Sequence, residues 1–197
     1  PFAQFSPDET RVLTVMGPTA QLWNATTGER IAELGEFTDG ILDASFSHDG
    51  AWIGLASADW TAMLVRTDGP GYIRLRGHEG PVNWIDFSPD GARVLTASAD
   101  GSARLYEVDE WAVLVDQLNA GRTSLWSAFS ADGERVATAN DEGDVAVWRV
   151  ERGNTQQVPA GTPIVQNTIF NADGSRMFTQ VFGAGQLAAR GLNQDGN

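Results

Sequence analysis

The two histidines are the only side chains in this 197-residue sequence with an ordinary pKa near neutrality. His48 stands in the run Ser47-His48-Asp49-Gly50, which has the composition of a serine-hydrolase triad. Such triads bring together residues that are distant in sequence, so this contiguous run predicts a turn. The sequence has no cysteine, and two histidines alone give zinc no plausible set of ligands. We therefore expect no catalytic residue, no metal site and no cofactor.

Two further segments resemble ligand-binding loops without meeting their requirements. The run Asn140–Asp144 is acidic, but it lacks the alternating ligand spacing and the distal glutamate of a calcium loop. The run Gly183–Ala188 fits the phosphate-binding pattern G-x-G-x-x-A, but no helix pattern follows it. Both segments predict turns between strands.

The charge of the chain limits its partners. Acidic residues number 26 and basic residues 13, a formal net charge of −13, and every basic residue is arginine. Nucleic acids and anionic membrane surfaces would repel such a chain, and no apolar run approaches the roughly 20 residues of a membrane span. We expect the partners to be other proteins or further domains of the same chain, with no nucleic acid, no membrane insertion and a cytoplasmic location.

A short motif recurs five times and organises the chain. It consists of Phe, a small polar residue, a variable residue that is Pro in two copies, Asp, and then Gly in four copies. The copies begin at Phe5, Phe46, Phe87, Phe129 and Phe170, in steps of 41, 41, 42 and 41 residues. Phe closes an alternating apolar run, and the residues after it favour a tight turn.

Strand patterns surround every copy of the motif. One alternating run precedes the turn, two more follow it, and a weaker fourth run closes most units, as at Arg30–Leu34. No sustained 3.6-residue apolar period occurs, so the sequence predicts an all-β fold of four-stranded antiparallel units.

Four-stranded units with a period of ~40–45 residues are typical of β-propeller blades. The sequence resembles the WD-repeat (WD40) propeller family, most clearly in the third unit, where Gly77-His78 stands at the family's Gly-His pair. In that family His, Ser, Asp and Trp form a hydrogen-bonded tetrad. The resemblance implies a structural tetrad of His78, Ser98, Asp100 and Tyr106. Because tyrosine replaces tryptophan, the last link runs through a phenol or is lost.

The resemblance implies a single propeller arc over residues 1–197. Its blades cover approximately 1–36, 37–77, 78–118, 119–160 and 161–197, with the last blade incomplete. Family members most often have seven blades. We expect a piece of a longer chain that forms such a larger ring; the alternative is an open arc completed by a second copy or a partner.

Partners of this family often bind one rim of the ring. Carried over to this sequence, the rim positions are Gly40, Leu42, Ala58, Pro81, Asn83, Ala99, Thr123, Leu125, Asp141, Ile164 and Gln166. We add Trp60, which replaces the Gly of a turn and either makes partner contacts or packs on a neighbouring loop. The set has no arginine cluster, so we expect it to bind a short apolar peptide or a protein loop rather than a phosphopeptide.

These patterns favour a non-catalytic protein–protein interaction scaffold within a larger protein or assembly. The alternative is a C-terminal sensor or regulatory propeller of a multidomain signalling enzyme such as an ATPase, kinase or protease. A propeller hydrolase or lyase is disfavoured, because both histidines have structural explanations.

Overall fold

The computed structural model describes residues 1–108, 112–119, 123–141, 144–151, 154–158, 165–170, 176–181 and 187–191. Side chains are described as far as residue 150, apart from positions 113, 124 and 125 and the gaps above. Within these ranges the secondary structure is all β. No helix in the described part of the chain is long and apolar enough to cross a membrane.

The strands form five antiparallel sheets, each a meander of strands consecutive in sequence. The first contains β1 (Phe2–Phe5), β2 (Arg11–Met16), β3 (Thr19–Asn24) and β4 (Arg30–Leu34). The second contains β5 (Ile41–Phe46), β6 (Trp52–Ser57), β7 (Ala62–Arg66) and β8 (Tyr72–Leu75). The third contains β9 (Val82–Phe87), β10 (Arg93–Ser98), β11 (Ser102–Val108) and β12 (Ala112–Asn119). The fourth contains β13 (Ser124–Phe129), β14 (Arg135–Asn140), β15 (Val145–Glu151) and β16 (Asn154–Val158). The fifth contains β17 (Val165–Phe170), β18 (Arg176–Val181) and β19 (Leu187–Gly191).

The repeated motif forms the turn between the first two strands of a blade, as its composition predicts. In the second blade Ser47 Oγ donates to Asp49 Oδ1 at 2.6 Å and accepts from the Trp52 amide at 2.9 Å. Asp49 also accepts from the Ala51 amide at 3.0 Å, and Gly50 takes a φ of +69°. The first, third and fourth blades repeat the serine–aspartate bond. The motif therefore fixes where each second strand begins.

Hydrophobic cores form between consecutive blades. Leu13 and Leu22 of the first blade pack in one cluster with Leu55 and Val65 of the second. The same arrangement joins the second blade to the third and the third to the fourth. Alternate residues of each middle strand face opposite neighbours, so the second and third blades each contribute to two cores. This is the packing of propeller blades, and it confirms the predicted fold class.

The innermost strands β5, β9, β13 and β17 lie beside one another in order along the chain. Trp84 of β9 and Trp126 of β13 stand at equivalent positions of consecutive blades and pack with ring centroids 6.0 Å apart. Two carboxylates also join these strands: Asp43 accepts from the Ile85 amide at 3.0 Å, and Asp86 from the Phe129 amide at 3.4 Å. Burial raises the pKa of both aspartates to about 6.

One side of the first blade has no neighbour among the described residues. Phe5, Val12, Met16 and Trp23 share this side, because alternate residues and register partners on a sheet point the same way. We call these four residues the open face. Phe5 is 61% exposed, whereas the corresponding phenylalanines of the next three blades are buried. The open face therefore has the composition of a blade interface.

Candidate protein-binding rim

The structure brings the predicted rim residues together in pairs. The Ala58 amide donates to the Gly40 carbonyl at 2.9 Å, and the Ala99 amide to the Pro81 carbonyl at 2.8 Å. The fourth blade repeats the bond between the Asp141 amide and the Thr123 carbonyl at 3.1 Å. In each blade this bond ties the turn after the second strand to the loop that enters the innermost strand. The rim is thus a row of backbone-locked corners, one for each of these blades.

A β-bulge stands beside each corner. In β5 the pairing with β6 passes from Ile41 to Asp43, so Leu42 has no partner in the ladder. The same shift leaves Asn83, Leu125 and Gln166 outside the ladder of the next three blades. A bulged residue is re-aimed relative to its neighbours, and bulges are frequent next to functional sites. All four bulged residues were predicted from the sequence to lie on the rim, although the bulges themselves were not.

The rim corners differ in how much they expose to solvent. Leu42 is 46% exposed and Trp60 is 53% exposed, and Asp141 is exposed as well. The other corner residues with described side chains are partly buried: Ala58, Pro81, Asn83, Ala99 and Thr123. Only the backbone of Leu125 and Gln166 is described, and Ile164 lies outside the described residues. Exposed apolar surface is therefore concentrated in the second blade.

A buried histidine, His78, forms hydrogen bonds within the corner of the third blade. His78 Nδ1 lies 2.8 Å from Asp100 Oδ2, and His78 Nε2 lies 2.8 Å from Thr96 Oγ1. A carboxylate only accepts, so Nδ1 carries the proton and Nε2 accepts from the threonine hydroxyl. Gly77 precedes the histidine with a φ of +113°, and a Cβ there would overlap the guanidinium of Arg104. A residue with a Cβ would therefore be strained at position 77, which explains the glycine.

The predicted tetrad is wrong at Ser98. The hydroxyl that meets His78 belongs to Thr96, whereas Ser98 Oγ donates to the Gly80 carbonyl at 3.1 Å and accepts from the Asp100 amide at 3.1 Å. Both residues point to the same side of β10, two positions apart. The register of β10 with β9 shifts at Ser98, which places this serine at the bulge instead of under the imidazole.

The network also governs the protonation of its members. Burial alone would raise the pKa of Asp100, but hydrogen bonds from Ser102, the Glu79 amide and His78 outweigh it and hold this pKa far below the usual range. Burial lowers the pKa of His78, and the bond to Asp100 offsets that effect only in part. The pair is therefore a neutral imidazole bonded to a carboxylate at pH 7. Its polar atoms are engaged within the blade, which leaves no free base at this position.

The last link of the tetrad is lost, one of the two outcomes expected for tyrosine at this position. Tyr106 is buried, and its hydroxyl lies beside Arg104 and Thr96 without a hydrogen bond of acceptable geometry. Two other blades keep the family's tryptophan. Trp23 Nε1 donates to Thr14 Oγ1 at 2.9 Å, and Trp148 Nε1 donates to Thr138 Oγ1 at 3.1 Å.

The second blade replaces most of this network with apolar groups. Phe37 stands at the histidine position, and it shares a buried cluster with Leu55 and Val65, which stand at the threonine and tryptophan positions. Asp59 remains, and it accepts from the Thr38 amide at 3.1 Å as Asp100 does from Glu79 at 3.0 Å. The aspartate therefore holds the loop in both blades, with or without a histidine.

Trp60 follows this aspartate in an unusual backbone conformation. Its φ is +72°, and its counterpart in the third blade is Gly101 with a φ of +86°. Asp59 fixes the turn by accepting from the Thr61 hydroxyl at 2.6 Å and the Thr61 amide at 3.0 Å. Among the described residues, the indole N–H has no hydrogen-bond partner, and no aromatic ring stacks on it.

Of the two segments that resemble ligand loops, the acidic run forms a turn where it is described, whereas Leu187 and Ala188 of the glycine-rich run lie in β19. The Asp144 amide donates to Asn140 Oδ1 at 2.8 Å, so these two residues close the turn by bonding each other. Residues 183–186 of the glycine-rich run lie outside the described residues. Within the described ranges, no group of three or more His, Asp or Glu side chains could hold a metal ion.

Comparison with known proteins agrees with this geometry. The family model described as WD domain, G-beta repeat matches residues 71–107, which hold the His78 network. A guanine nucleotide-binding protein subunit beta from Oryza sativa subsp. japonica is 37% identical over 115 residues, covering 53% of this chain and 30% of that protein. The proteins of the same name from Solanum tuberosum and Arabidopsis thaliana match at the same identity and coverage.

The matched segment thus spans less than a third of the length of these curated relatives. Repeat spacing, blade topology, cores between blades and the histidine network all point to one family. Residues 71–107 match the WD repeat, and the chain as a whole is similar to WD-repeat β-propeller proteins.

Proposed function

We propose that this chain is a non-catalytic protein-interaction module that binds a partner protein through the rim. The observation that carries the proposal is the row of locked corners, at each of which one residue is bulged out of the strand ladder. The backbone there is fixed before binding, so a partner does not have to order it, and this lowers the cost of association.

The remaining chemistry of the described residues supports a binding role. His78 is engaged with Asp100 and Thr96, and Asp43 and Asp86 accept from backbone amides of the next blade. Both nitrogens of His78 and the two buried aspartates are thus engaged in holding the blades, which leaves the exposed rim as the surface available for function. The relatives are subunits, as their name states, and therefore belong to assemblies.

The test of this proposal compares two exposed leucine-sized residues. Leu42→Arg combined with Ala99→Arg places two long cations on the rim, whereas Ile31→Arg changes a residue of β4 that is 47% exposed, close to the 46% of Leu42. Partners are captured by crosslinking to the wild-type chain, identified by mass spectrometry, purified and titrated against each variant by calorimetry.

We expect the rim variant to lose at least tenfold in affinity for a directly binding partner, and Ile31→Arg to retain it. All variants must keep the wild-type melting temperature within a few degrees. Equal affinity of the wild type and the rim variant would exclude the rim as the binding surface.

A further inference from the structure

We propose that the rim of the second blade binds an arginine-bearing segment of a partner protein, with the guanidinium stacked on the indole of Trp60. This inference rests on the proposed rim function and adds the chemistry of the partner. The surface consists of Leu42 and Trp60 with the carboxylates of Glu36 and Asp39, and we call it the second-blade corner.

The fold gives no reason for a tryptophan at position 60. A residue with a side chain is disfavoured at a positive φ, and the sister turn uses glycine. The indole stays 53% exposed, so burial within the chain does not offset this cost. Strained residues that the surrounding structure holds in place are concentrated at binding sites.

The second-blade corner has a fixed backbone and exposes apolar side chains. The Ala58–Gly40 bond and the Thr38–Asp59 bond lock the turn of Trp60 onto the loop that precedes Leu42. Leu42 is bulged out of its ladder and 46% exposed. Two large apolar side chains thus stand at one fixed corner, and rigid aromatic residues of this kind dominate interface energies.

The charge of the second-blade corner favours a cationic partner group. Glu36 and Asp39 are exposed in the adjoining loop, and among the described residues neither is in an ion pair. Arg74 is already engaged: it donates to the Glu36 carbonyl at 2.8 Å and to Thr61 Oγ1 at 3.1 Å, lies over the Phe37 ring, and forms an ion pair with Asp59 at 3.8 Å. The loop that backbone bonds attach to the turn of Trp60 therefore carries two carboxylates outside any described ion pair, and an exposed indole on an acidic corner suits arginine better than lysine.

The test uses synthetic peptides on the folded chain. A six-residue peptide that alternates glycine and arginine is titrated by NMR, following the indole N–H signals, with Trp60 identified by the signal missing from Trp60→Gly. Matched peptides carry lysine or uncharged citrulline in place of arginine. Asp39→Asn removes a charge while keeping the acceptor for the Gly40 amide. Tyr72→Ala is the control, because Tyr72 is also an exposed aromatic residue but lies on β8.

We expect the arginine peptide to shift the Trp60 signal and to bind about tenfold more weakly to Trp60→Gly, since a cation–π contact accounts for a factor of this size. Trp60→Phe should restore part of the affinity, and Tyr72→Ala should bind as the wild type does. Both Asp39→Asn and added salt should weaken binding. The citrulline peptide should not bind. The melting temperature of Trp60→Gly should equal or exceed that of the wild type, because glycine suits this φ.

Three results would overturn the inference: unchanged affinity in Trp60→Gly, equal binding of the citrulline peptide, or a lowered melting temperature of Trp60→Gly, which would show that the indole serves packing. None of them bears on the partner titration with the Leu42→Arg and Ala99→Arg variant. The failure of this inference and the failure of the proposed function are therefore distinguishable.

Discussion

At the scale of single residues, the third blade contains a buried hydroxyl that contributes no hydrogen bond to the stability of the fold. The Tyr106 hydroxyl is desolvated without a hydrogen bond, whereas Trp148 donates to Thr138 at the same position of the next blade. We expect Tyr106→Phe to leave the free energy of unfolding unchanged or raise it by about 1 kcal/mol. Trp148→Phe should lower it by about 1 kcal/mol or more, since a bond is lost and a cavity forms.

Urea denaturation at pH 7 measures both changes. A clear loss of stability in Tyr106→Phe would mean that the phenol makes a bond in solution, with Arg104 or Thr96 as the available partners.

A second residue-scale prediction concerns the turn of the first blade. Glu9 takes a φ of +58° at the position where the next three blades have Gly50, Gly91 and Gly133 at +69° to +70°. Glu9→Gly removes the steric cost of a side chain in this region, so we expect the free energy of unfolding to rise by about 0.5–1 kcal/mol. Gly91→Ala is the reverse change and should lower it by a similar amount. Thermal unfolding of both variants beside the wild type measures these changes. Stabilisation by Gly91→Ala would show that a side chain has no steric cost at this φ.

At the scale of elements, the carboxylates between innermost strands make the blade interfaces sensitive to pH. The pKa of Asp86 is about 6 in the folded chain, against an ordinary value of 3.8. The folded state therefore binds more protons than the unfolded state in this range. Stability from this group is fully present below about pH 4 and is lost as the pH rises through 6. Asp43 has the same sign, and the negative charge of Asp86 contributes to its shift.

We therefore expect the free energy of unfolding to rise from pH 7.5 to pH 5, by on the order of 1–3 kcal/mol for each aspartate. Asp86→Asn keeps an acceptor for the Phe129 amide and should flatten about half of this dependence. Below pH 4 the lowered pKa of Asp100 acts in the opposite direction, so stability should fall again. Parallel pH curves for the wild type and Asp86→Asn would contradict this account.

The strands and turns could be read from the sequence because local chemistry decides them. Serine, aspartate and glycine at fixed offsets specify the turn without help from distant residues, as the bonds of Ser47 and Asp49 show. Which of the two hydroxyls, Thr96 or Ser98, bonds to His78 could not be predicted in the same way. Both have hydroxyls on one side of β10, and the bulge opposite Ser98 decides which of them lies under His78. Bulge positions depend on how two strands pair, and no single residue type marks them here.

At the scale of the whole molecule, the open face has the residues of a blade interface but is exposed to solvent. Phe5 and Met16 are exposed there, although the corresponding phenylalanines elsewhere are core residues. Such a face is expected to bind hydrophobic dyes and to drive self-association. We expect Phe5→Ser with Met16→Glu to reduce both while leaving the melting temperature unchanged. Phe46→Ser removes a buried side chain of the same kind and should destabilise the chain by about 3–5 kcal/mol.

Sedimentation velocity over a range of concentrations, together with dye fluorescence, tests this prediction. Identical sedimentation of the wild type and the double variant would show that the open face is not a contact surface in this chain.

The repeated bulge has a consequence for how this surface can change through evolution. Leu42 stands outside the ladder, and its side chain is 46% exposed. The backbone bond of its corner joins Ala58 to Gly40 and does not depend on which side chain occupies position 42. We expect substitutions at Leu42 to change the chemistry of the second-blade corner with little penalty in folding. Selection can then alter the partner preference of this corner without rebuilding the frame that holds it.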